Sequence, residues 1–195
     1  MALLSLLNPF NLIGNILYPI TSTKIESSIQ PTSGQYNLLV WELSDLNIAG
    51  LTVNPFANHD ATGKPTHEVA GGVISIAANS SPISVGINDD DGKFNDGDLS
   101  QNLASSVTIN GVHGDAGHRF TPEYAYTIRE VDSGNVITIY AVELGSNKMV
   151  GIVSDAPLAI GSNYEFIARV DSHPSINYND LANTYYAEGS AVGEV

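Results

Sequence analysis

From Tyr36 onward, short apolar runs alternate with clusters of turn-forming residues. The runs are rich in Val, Ile, Thr and Tyr, which favour the half-buried surface of a β-sheet. Nine runs are predicted as strands: Tyr36–Leu43, Leu46–Val53, Glu68–Ala78, Pro82–Ile87, Ser106–Val112, Glu123–Val131, Asn135–Leu144, Lys148–Ser154 and Asn163–Val170. Because long amphipathic helical patterns are missing between them, the sequence predicts an all-β fold, an antiparallel β-sandwich or jelly-roll-like domain.

The connections between the runs carry their own predictions. Asp132–Asn135 and Gly145–Asn147 have the Gly, Asn and Asp residues of tight hairpins, so they join three successive runs into an antiparallel meander. Asp98–Ser106 is predicted as one or two helical turns capped by Asp98. Asn54–Glu68 reads as a long polar loop.

The first twenty residues are apolar but interrupted. No Lys or Arg comes before the apolar stretch, whereas a secretory signal normally begins with positive charge. Pro9 and Gly14 interrupt the stretch, which is too short to span a bilayer. Such an arm packs either on its own domain or on a neighbouring subunit. We therefore predict an N-terminal arm and linker over residues 1–35, a β-sandwich domain over 36–180 and a C-terminal tail over 181–195.

Charge and composition narrow the classes of partner. The 195 residues include 21 Asp and Glu against seven Lys and Arg, a net charge of −14, and no cysteine. Clustered negative charge repels nucleic acid and anionic membranes and attracts divalent cations. The missing cysteines exclude disulfides, zinc–thiolate sites and thiol nucleophiles. This acidic, polar composition suits a secreted protein at the outside of a prokaryotic cell.

The acidic segment Asn88–Asp98, NDDDGKFNDGD, contains the sharpest candidate chemistry. A calcium loop needs several oxygen ligands on a tightly turned backbone, with a glycine at its sixth position. With Gly92 at that position, Asp89 and Asp91 occupy the third and fifth, and both match. Phe94 then falls at the eighth position, where an apolar residue anchors such loops in the core.

The rest of the loop matches the calcium pattern less completely. Lys93 offers its carbonyl oxygen at the seventh position and Asp98 a carboxylate at the twelfth, but Ile87 at the first cannot ligate. Asn88 replaces it if the loop bulges, and Asp90 offers a further oxygen. The predicted calcium ligands are Asn88, Asp89, Asp91, Lys93, Asn95, Asp96 and Asp98.

The alternative to a calcium site is a solvated Asp/Gly turn, since Asp-Gly pairs are common turn formers. The density of negative charge favours calcium, because neighbouring carboxylates repel one another unless a cation screens them. Magnesium fits less well, because it retains its waters and seldom occupies a protein-only cage.

The stretch from Val73 to Val170 resembles a β-rich region of secreted alphaproteobacterial proteins that accompanies Hint domains or RTX-type calcium repeats. The matching marks are the core Asn88–Gln101 and the runs Glu123–Tyr126 and Val150–Phe166. The resemblance implies export by a type I route and calcium binding outside the cell. The self-cleaving Hint domain itself is absent from this sequence, so its splicing activity is not implied.

Two other groups of residues invite a catalytic interpretation. His113, Asp115, His118 and Glu123 are close in sequence, but they lack the helical spacing of a zinc-protease motif, so a polar loop is favoured. Carboxylates on or near predicted strands are candidates for glycoside hydrolysis, with charged residues on a wet sheet face as the alternative. They are Glu42, Asp45, Glu123, Glu130, Glu143 and Glu165.

Together these features predict a secreted, calcium-stabilised structural or adhesive β-domain, not an enzyme. The apolar arm predicts self-association into a homo-oligomer or homopolymer, with a cell-surface glycan as a further candidate partner. The alternative is an extracellular glycan-acting hydrolase that uses strand-borne carboxylates.

Overall fold

The fold is an antiparallel all-β domain, seen in a computed structural model that describes residues 34–52, 54–57, 69–145, 148–171 and 173–183. The predicted apolar arm, residues 1–20, lies outside the described residues. Short 3-10 turns cover Leu43–Asp45 and Tyr178–Asp180. The strands are β1 Gly34–Glu42, β2 Leu46–Ala49, β3 Val73–Ile76, β4 Ile83–Asp89, β5 Lys93–Asn95, β6 Asn102–Leu103, β7 Val107–Ile109, β8 Val112–Gly114, β9 Phe120–Glu130, β10 Val136–Leu144, β11 Met149–Ser154, β12 Asn163–Asp171 and β13 Ser175–Asn177.

Nine of these strands form one open sheet in the order β2-β3-β12-β9-β10-β11-β1-β4-β6. Two small sheets, β13-β5 and β7-β8, lie beside it. The predicted meander is present, since β9, β10 and β11 pair antiparallel in succession. The all-β, antiparallel fold class is therefore confirmed. No helix in the described ranges has the length and apolarity to cross a bilayer.

The first strand links the two halves of the large sheet. Residues 34–40 pair with β4, whereas Trp41 and Glu42 pair with β11. A strand that changes partner along its length lets a sheet turn a corner and fold back over its own core. The architecture is therefore sandwich-like, although hydrogen bonds connect all nine strands.

The central strands bury side chains on both faces. Successive residues of a strand point to opposite faces, so in β10 Ile139 and Ala141 join one apolar cluster, while Tyr140 and Val142 join another. We call the cluster with Tyr140 the first core and the cluster with Ile139 the second core. This double burial explains why β10 and β11 read as nearly continuous apolar runs.

Each core is closed by a different set of short elements. Phe94 of β5, Ile109 of β7 and Tyr178 of the second 3-10 turn pack into the first core. Phe56 and Leu158 close the second. The acidic segment is thus connected to the first core through Phe94, as predicted from its place in the loop.

One predicted strand is wrong. Ser106–Val112 is two strands, β7 and β8, joined at Asn110 and Gly111. These residues have φ values of +50° and +75°, the left-handed pair that an Asn-Gly hairpin turn requires. The turn lies inside an apolar run, so the run looked continuous although the Asn-Gly pair marks its middle.

The predicted helical turns at Asp98–Ser106 are also absent. The segment contains β6, and Asp98 accepts a hydrogen bond from the backbone N–H of Ser100 (2.8 Å), a local turn that does not continue into a helix. Similarly, the strand predicted over Glu68–Ala78 begins only at Val73, because Gly71 has a φ of +81° in the preceding turn.

The close approach of β1 and β11 at Gly151 makes a testable prediction. A methyl group added there would contact the carbonyl oxygen of Trp41 and lie 2.6 Å from Cγ1 of Val40. Because backbone atoms cannot rotate away, Gly151→Ala should lower the free energy of unfolding by about 1–3 kcal/mol in a urea titration.

The matched control for this substitution is Gly86→Ala, also within a strand. Its nearest neighbour would be Cβ of Ala104 at 3.3 Å, a side-chain contact that can adjust. A loss at Gly151 no larger than that at Gly86 would contradict the described packing of β1 on β11.

Candidate metal site

The acidic segment starts at the end of β4 and encloses the short strand β5. Gly92 and Gly97 flank β5 with φ values of +89° and +80°, so the backbone turns sharply on both sides of it. These turns bring the aspartates that precede Gly92 near the aspartate that follows Gly97. Local glycine geometry therefore creates the site.

Four carboxylates converge at this point. One oxygen from each of Asp89, Asp90, Asp91 and Asp98 lies within 4.8 Å of the others. Two oxygens on opposite sides of a calcium ion are about 4.8 Å apart, since each Ca–O distance is about 2.4 Å. The cluster can hold a metal ion, and its all-oxygen donor set is the chemistry that a hard divalent cation needs.

Asp89 is the buried member of the cluster. It is 6% exposed, and its Oδ2 accepts a hydrogen bond from the hydroxyl of Tyr178 (2.8 Å). Its Oδ1 accepts one from the backbone N–H of Asp90 (2.7 Å). Burial raises the pKa of Asp89, these hydrogen bonds oppose the rise, and the negative charge of Asp98 adds to it.

Two tyrosines form the inner wall of the site. The rings of Tyr36 and Tyr178 stack with centroids 3.9 Å apart and planes 4° apart. Burial raises the pKa of both phenols. The hydrogen bond of Tyr178 to Asp89 raises its pKa further, and the charge of Asp89 raises that of both, so both remain neutral at physiological pH. The wall keeps water from one side of Asp89 and supplies the Tyr178 hydroxyl as a donor to it.

The hydroxyl of Ser100 is shared by three of the four aspartates. Its Oγ lies 2.6 Å from Asp98 Oδ1, 2.7 Å from Asp90 Oδ1 and 3.4 Å from Asp89 Oδ1. A serine has one proton to donate, so it can satisfy one of these contacts at a time.

Positive charge is scarce around the cluster. Among the described residues, no ion pair involves any of the four aspartates. Like charges this close repel one another, and the charge of Asp98 adds to the raised pKa of the buried Asp89. A divalent cation among the four carboxylates would convert that repulsion into attraction. A solvated turn has no need to hold its carboxylates this close together.

The structure brings together three predicted ligands, Asp89, Asp91 and Asp98. Next to them, the side-chain amide of Asn95, oriented with its nitrogen toward Asp98, donates to Asp98 Oδ2 (3.2 Å) and to the carbonyl oxygen of Lys93 (3.0 Å). The backbone N–H of Lys93 donates to Asp91 Oδ1 (2.7 Å). These two residues thus support the loop around the cluster.

Two predicted ligands lie elsewhere. Asn88 precedes Asp89 in β4 and is exposed while Asp89 is buried, because neighbouring strand residues face opposite sides. Asp96 faces His173, whose Nε2 is 3.9 Å from its Oδ2. Burial, then the charge of Glu123, raises the pKa of Asp96.

The predicted ligand set left out three contributors to the site. Asp90 belongs to the cluster because the chain leaves the strand after Asp89, so alternation no longer applies. The triple aspartate was a sufficient signal for it. Ser100 reaches Asp98 from two residues further along the chain. Tyr178 is different, because no local pattern connects it to the loop. Tyr178 lies 89 residues beyond Asp89 and meets it only in the folded chain.

The other candidate motifs do not form comparable groups. His113 Nε2 lies 3.2 Å from Asp115 Oδ1 in an exposed pair, and His118 accepts from the backbone N–H of Asp115 (3.2 Å). Within the described residues, no group of three metal-ligating side chains includes them. The arrangement is that of a polar loop following β8.

The strand-borne carboxylates are dispersed over the domain, and most of them contact polar neighbours of their own. Asp45 accepts from the Ser80 hydroxyl (2.8 Å), and Glu165 pairs with Arg129 (2.6 Å). Further contacts join Glu42 to the Asn110 backbone N–H and Glu130 to the hydroxyls of Ser133 and Ser162.

Glu143 lines an open groove of about 730 Å³ together with Arg119, which lies 3.2 Å from it. It is the single carboxylate among the described lining residues of that groove. Glycoside hydrolysis ordinarily uses two carboxyl groups that flank the scissile bond. The groove therefore does not supply the pair.

No family model, curated protein or solved structure matches this chain.

The raised pKa of Asp89 makes a prediction for metal-free protein. A carboxyl group whose pKa is higher in the folded state stabilises the fold below its unfolded pKa, near 3.9, and this stabilisation is lost as pH rises through the raised value. The contribution of Asp89 to the free energy of unfolding should therefore decrease from near pH 4 to neutral pH, opposite in sign to that of Glu130, whose pKa is lowered. Asp89→Asn should reduce the loss of stability between these two pH values. Asp96, whose pKa is also raised, accounts for part of the loss that remains.

Urea titrations in metal-free buffer at the two ends of this range measure the effect. Asp132→Asn, a charge-matched change in an exposed turn, is the control. An Asp89→Asn protein with the same pH dependence as this control would contradict the buried position of Asp89.

Proposed function

We propose that this protein is a secreted, calcium-stabilised structural or adhesive β-domain that is not an enzyme. The observation that supports this best is the meeting of four carboxylates, one of them buried, where no described cation balances them. Calcium suits the site because it accepts several carboxylates in flexible geometry, whereas magnesium prefers to keep its waters.

The proposed ion would stabilise the domain by connecting segments that are distant in sequence. Asp89 ends β4, faces Gly34 at the start of β1 and contacts Tyr178 near the end of the described chain. The backbone N–H of Asp96 also donates to the carbonyl of Pro174 (2.9 Å), next to the β5–β13 pairing. Calcium bound here would hold the acidic loop in place. It would thereby also hold the contacts of this loop with the start of β1 and with the segment around Pro174 and Tyr178.

An extracellular location supports occupancy of such a site. Extracellular calcium modules bind with dissociation constants of about 0.1–1 mM, which suits the calcium concentration outside cells and not that inside them. The acidic, cysteine-free composition and the resemblance to exported calcium-binding proteins agree with that location. The proposed partner of such a structural domain is a second copy of the same chain or a cell-surface glycan.

Self-association through the apolar segment 1–20 is the second part of the proposal. The segment contains no charged residue, and the first charge in the chain is Lys24. A chain with net charge −14 repels its copies, so an uncharged apolar segment is suited to make the contact between them.

Calcium binding can be tested by thermal melting. With a dissociation constant of about 0.1 mM, 10 mM calcium is about a hundredfold excess and stabilises the fold by about 2.7 kcal/mol. For a chain of this size the melting temperature should rise by about 5–10 °C relative to chelator. Asp89→Asn combined with Asp91→Asn should remove most of this rise.

The control is the charge-matched pair Asp115→Asn with Asp132→Asn, both exposed and outside the cluster. Its calcium-dependent rise should equal that of the unchanged protein. An unchanged melting temperature in calcium would refute the site. An equal response of both double variants would assign the stabilisation to general charge screening.

Self-association can be tested separately by sedimentation velocity. Deleting residues 2–20 should convert an assembling protein into a monomer, while the calcium-dependent melting of the β-domain stays the same. A deletion variant that still assembles like the full chain would refute the role of this segment.

A further inference from the structure

We propose that the outer edge of β2 and the apolar groove beside it are the acceptor for residues 1–20 of a second copy. This inference rests on the proposed self-association and names its docking surface. The groove measures about 350 Å³ and is lined by Leu43, Leu46, Ile48, Leu51, Thr52 and Asn54.

The first supporting observation is the open edge. β2 is the terminal strand of the large sheet, and within the described residues no strand lies beyond it. Edge strands present main-chain groups that a further segment can pair with. The opposite terminal strand, β6, differs, because the Leu103 N–H donates to the His118 carbonyl and its carbonyl accepts from the Gly117 N–H.

The register of β2 on β3 identifies the main-chain groups at this edge. The backbone N–H of Ala77 donates to the carbonyl of Asp45 (2.8 Å), so Asp45 and Ala77 occupy a hydrogen-bonded pair position. In antiparallel sheets such positions alternate, and Ile48 opposite Ile74 is therefore a non-hydrogen-bonded pair. The N–H and C=O of Ile48 consequently point away from β3, toward the open side.

The groove is apolar beside this edge. Leu43, Ile48 and Leu51 are half-buried and pack against the second core, so each still exposes part of its side chain. None of the six lining residues carries a charge. An occupant that matches this surface is apolar and uncharged, and residues 1–23 are the longest uncharged stretch at either end of the chain.

The inference commits to the groove of a second copy because it names the surface through which the proposed self-association would occur. The groove begins at Leu43, directly after β1, whereas the N-terminal segment joins β1 at Gly34. Docking of this segment on the chain's own groove is the alternative outcome, and it would leave the unchanged protein monomeric.

A complementation experiment with full-length chains tests the inference. The groove variant is Ile48→Gln, and the arm variant combines Leu12→Gln with Leu17→Gln, so neither changes the net charge. Each alone should associate at least about tenfold more weakly than the unchanged protein, because burial of an aliphatic side chain is lost. Mixed in equal amounts, they should form a species of twice the monomer mass, since each supplies the surface that the other lacks.

Two further variants keep the test decisive. Thr52→Gln alters an exposed groove residue outside both cores and should also weaken assembly. Val136→Gln changes an exposed apolar residue of β10, far from β2 in the sheet order, and should assemble normally. Circular dichroism and melting temperature establish that every variant is folded.

The outcomes separate this inference from the proposed function. If both groove variants assemble normally while the arm variant is monomeric, the groove is the wrong acceptor and self-association through the arm stands. If the arm variant assembles normally, or the unchanged chain is monomeric at all concentrations, the proposed self-association fails and the inference with it. A mixture of the two variants that stays monomeric would refute docking between copies.

Discussion

The repulsion among four aspartates between β4 and β6 is the constraint around which this end of the domain is organised. Asp89 is buried, and its position ties together the start of β1, the acidic loop and the second 3-10 turn. Removing a carboxylate from water is costly unless it is paired or hydrogen-bonded. The Tyr178 hydroxyl and the Asp90 backbone N–H meet part of that requirement. The proposed calcium ion would meet the remainder.

The large sheet provides the rigid frame for this arrangement. Because β10 and its neighbours bury side chains on both faces, the sheet has two cores, and short elements at the periphery close each of them. Phe94 anchors the acidic loop in the first core, and Leu46 of β2 packs into the second. The proposed metal site and the proposed docking groove thus adjoin different cores.

Much of the fold was predictable because strand alternation and turn chemistry are local. The meander β9–β11 follows from its turn residues and apolar runs. The Asn110–Gly111 hairpin was missed because it lies inside one apolar run, although that dipeptide is itself a strong turn signal. The false helix at Asp98 arose because an aspartate that caps a turn looks the same in sequence whether or not a helix follows.

The site was predictable only where its members are neighbours in sequence. The glycine spacing predicted that Asp89, Asp91 and Asp98 lie together, and all three belong to the carboxylate cluster. The calcium-loop template also assigned Asn88, which strand geometry turns to the opposite face. Tyr178 joins the site through a tertiary contact that no sequence window contains, whereas Ser100 contacts Asp98 only two residues before it. The central electrostatic feature, a buried carboxylate beside two stacked tyrosines, therefore emerged only from the folded chain.

Terbium luminescence tests the proposed ion most directly, because Tb³⁺ replaces calcium in oxygen sites and is excited by energy transfer from nearby tyrosines. Tyr36 and Tyr178 line the cluster, whereas Trp41 lies in the other core. The account predicts tyrosine-sensitised emission that calcium displaces and that Asp89→Asn abolishes. An absence of sensitised emission, or emission that Asp89→Asn leaves unchanged, would contradict it.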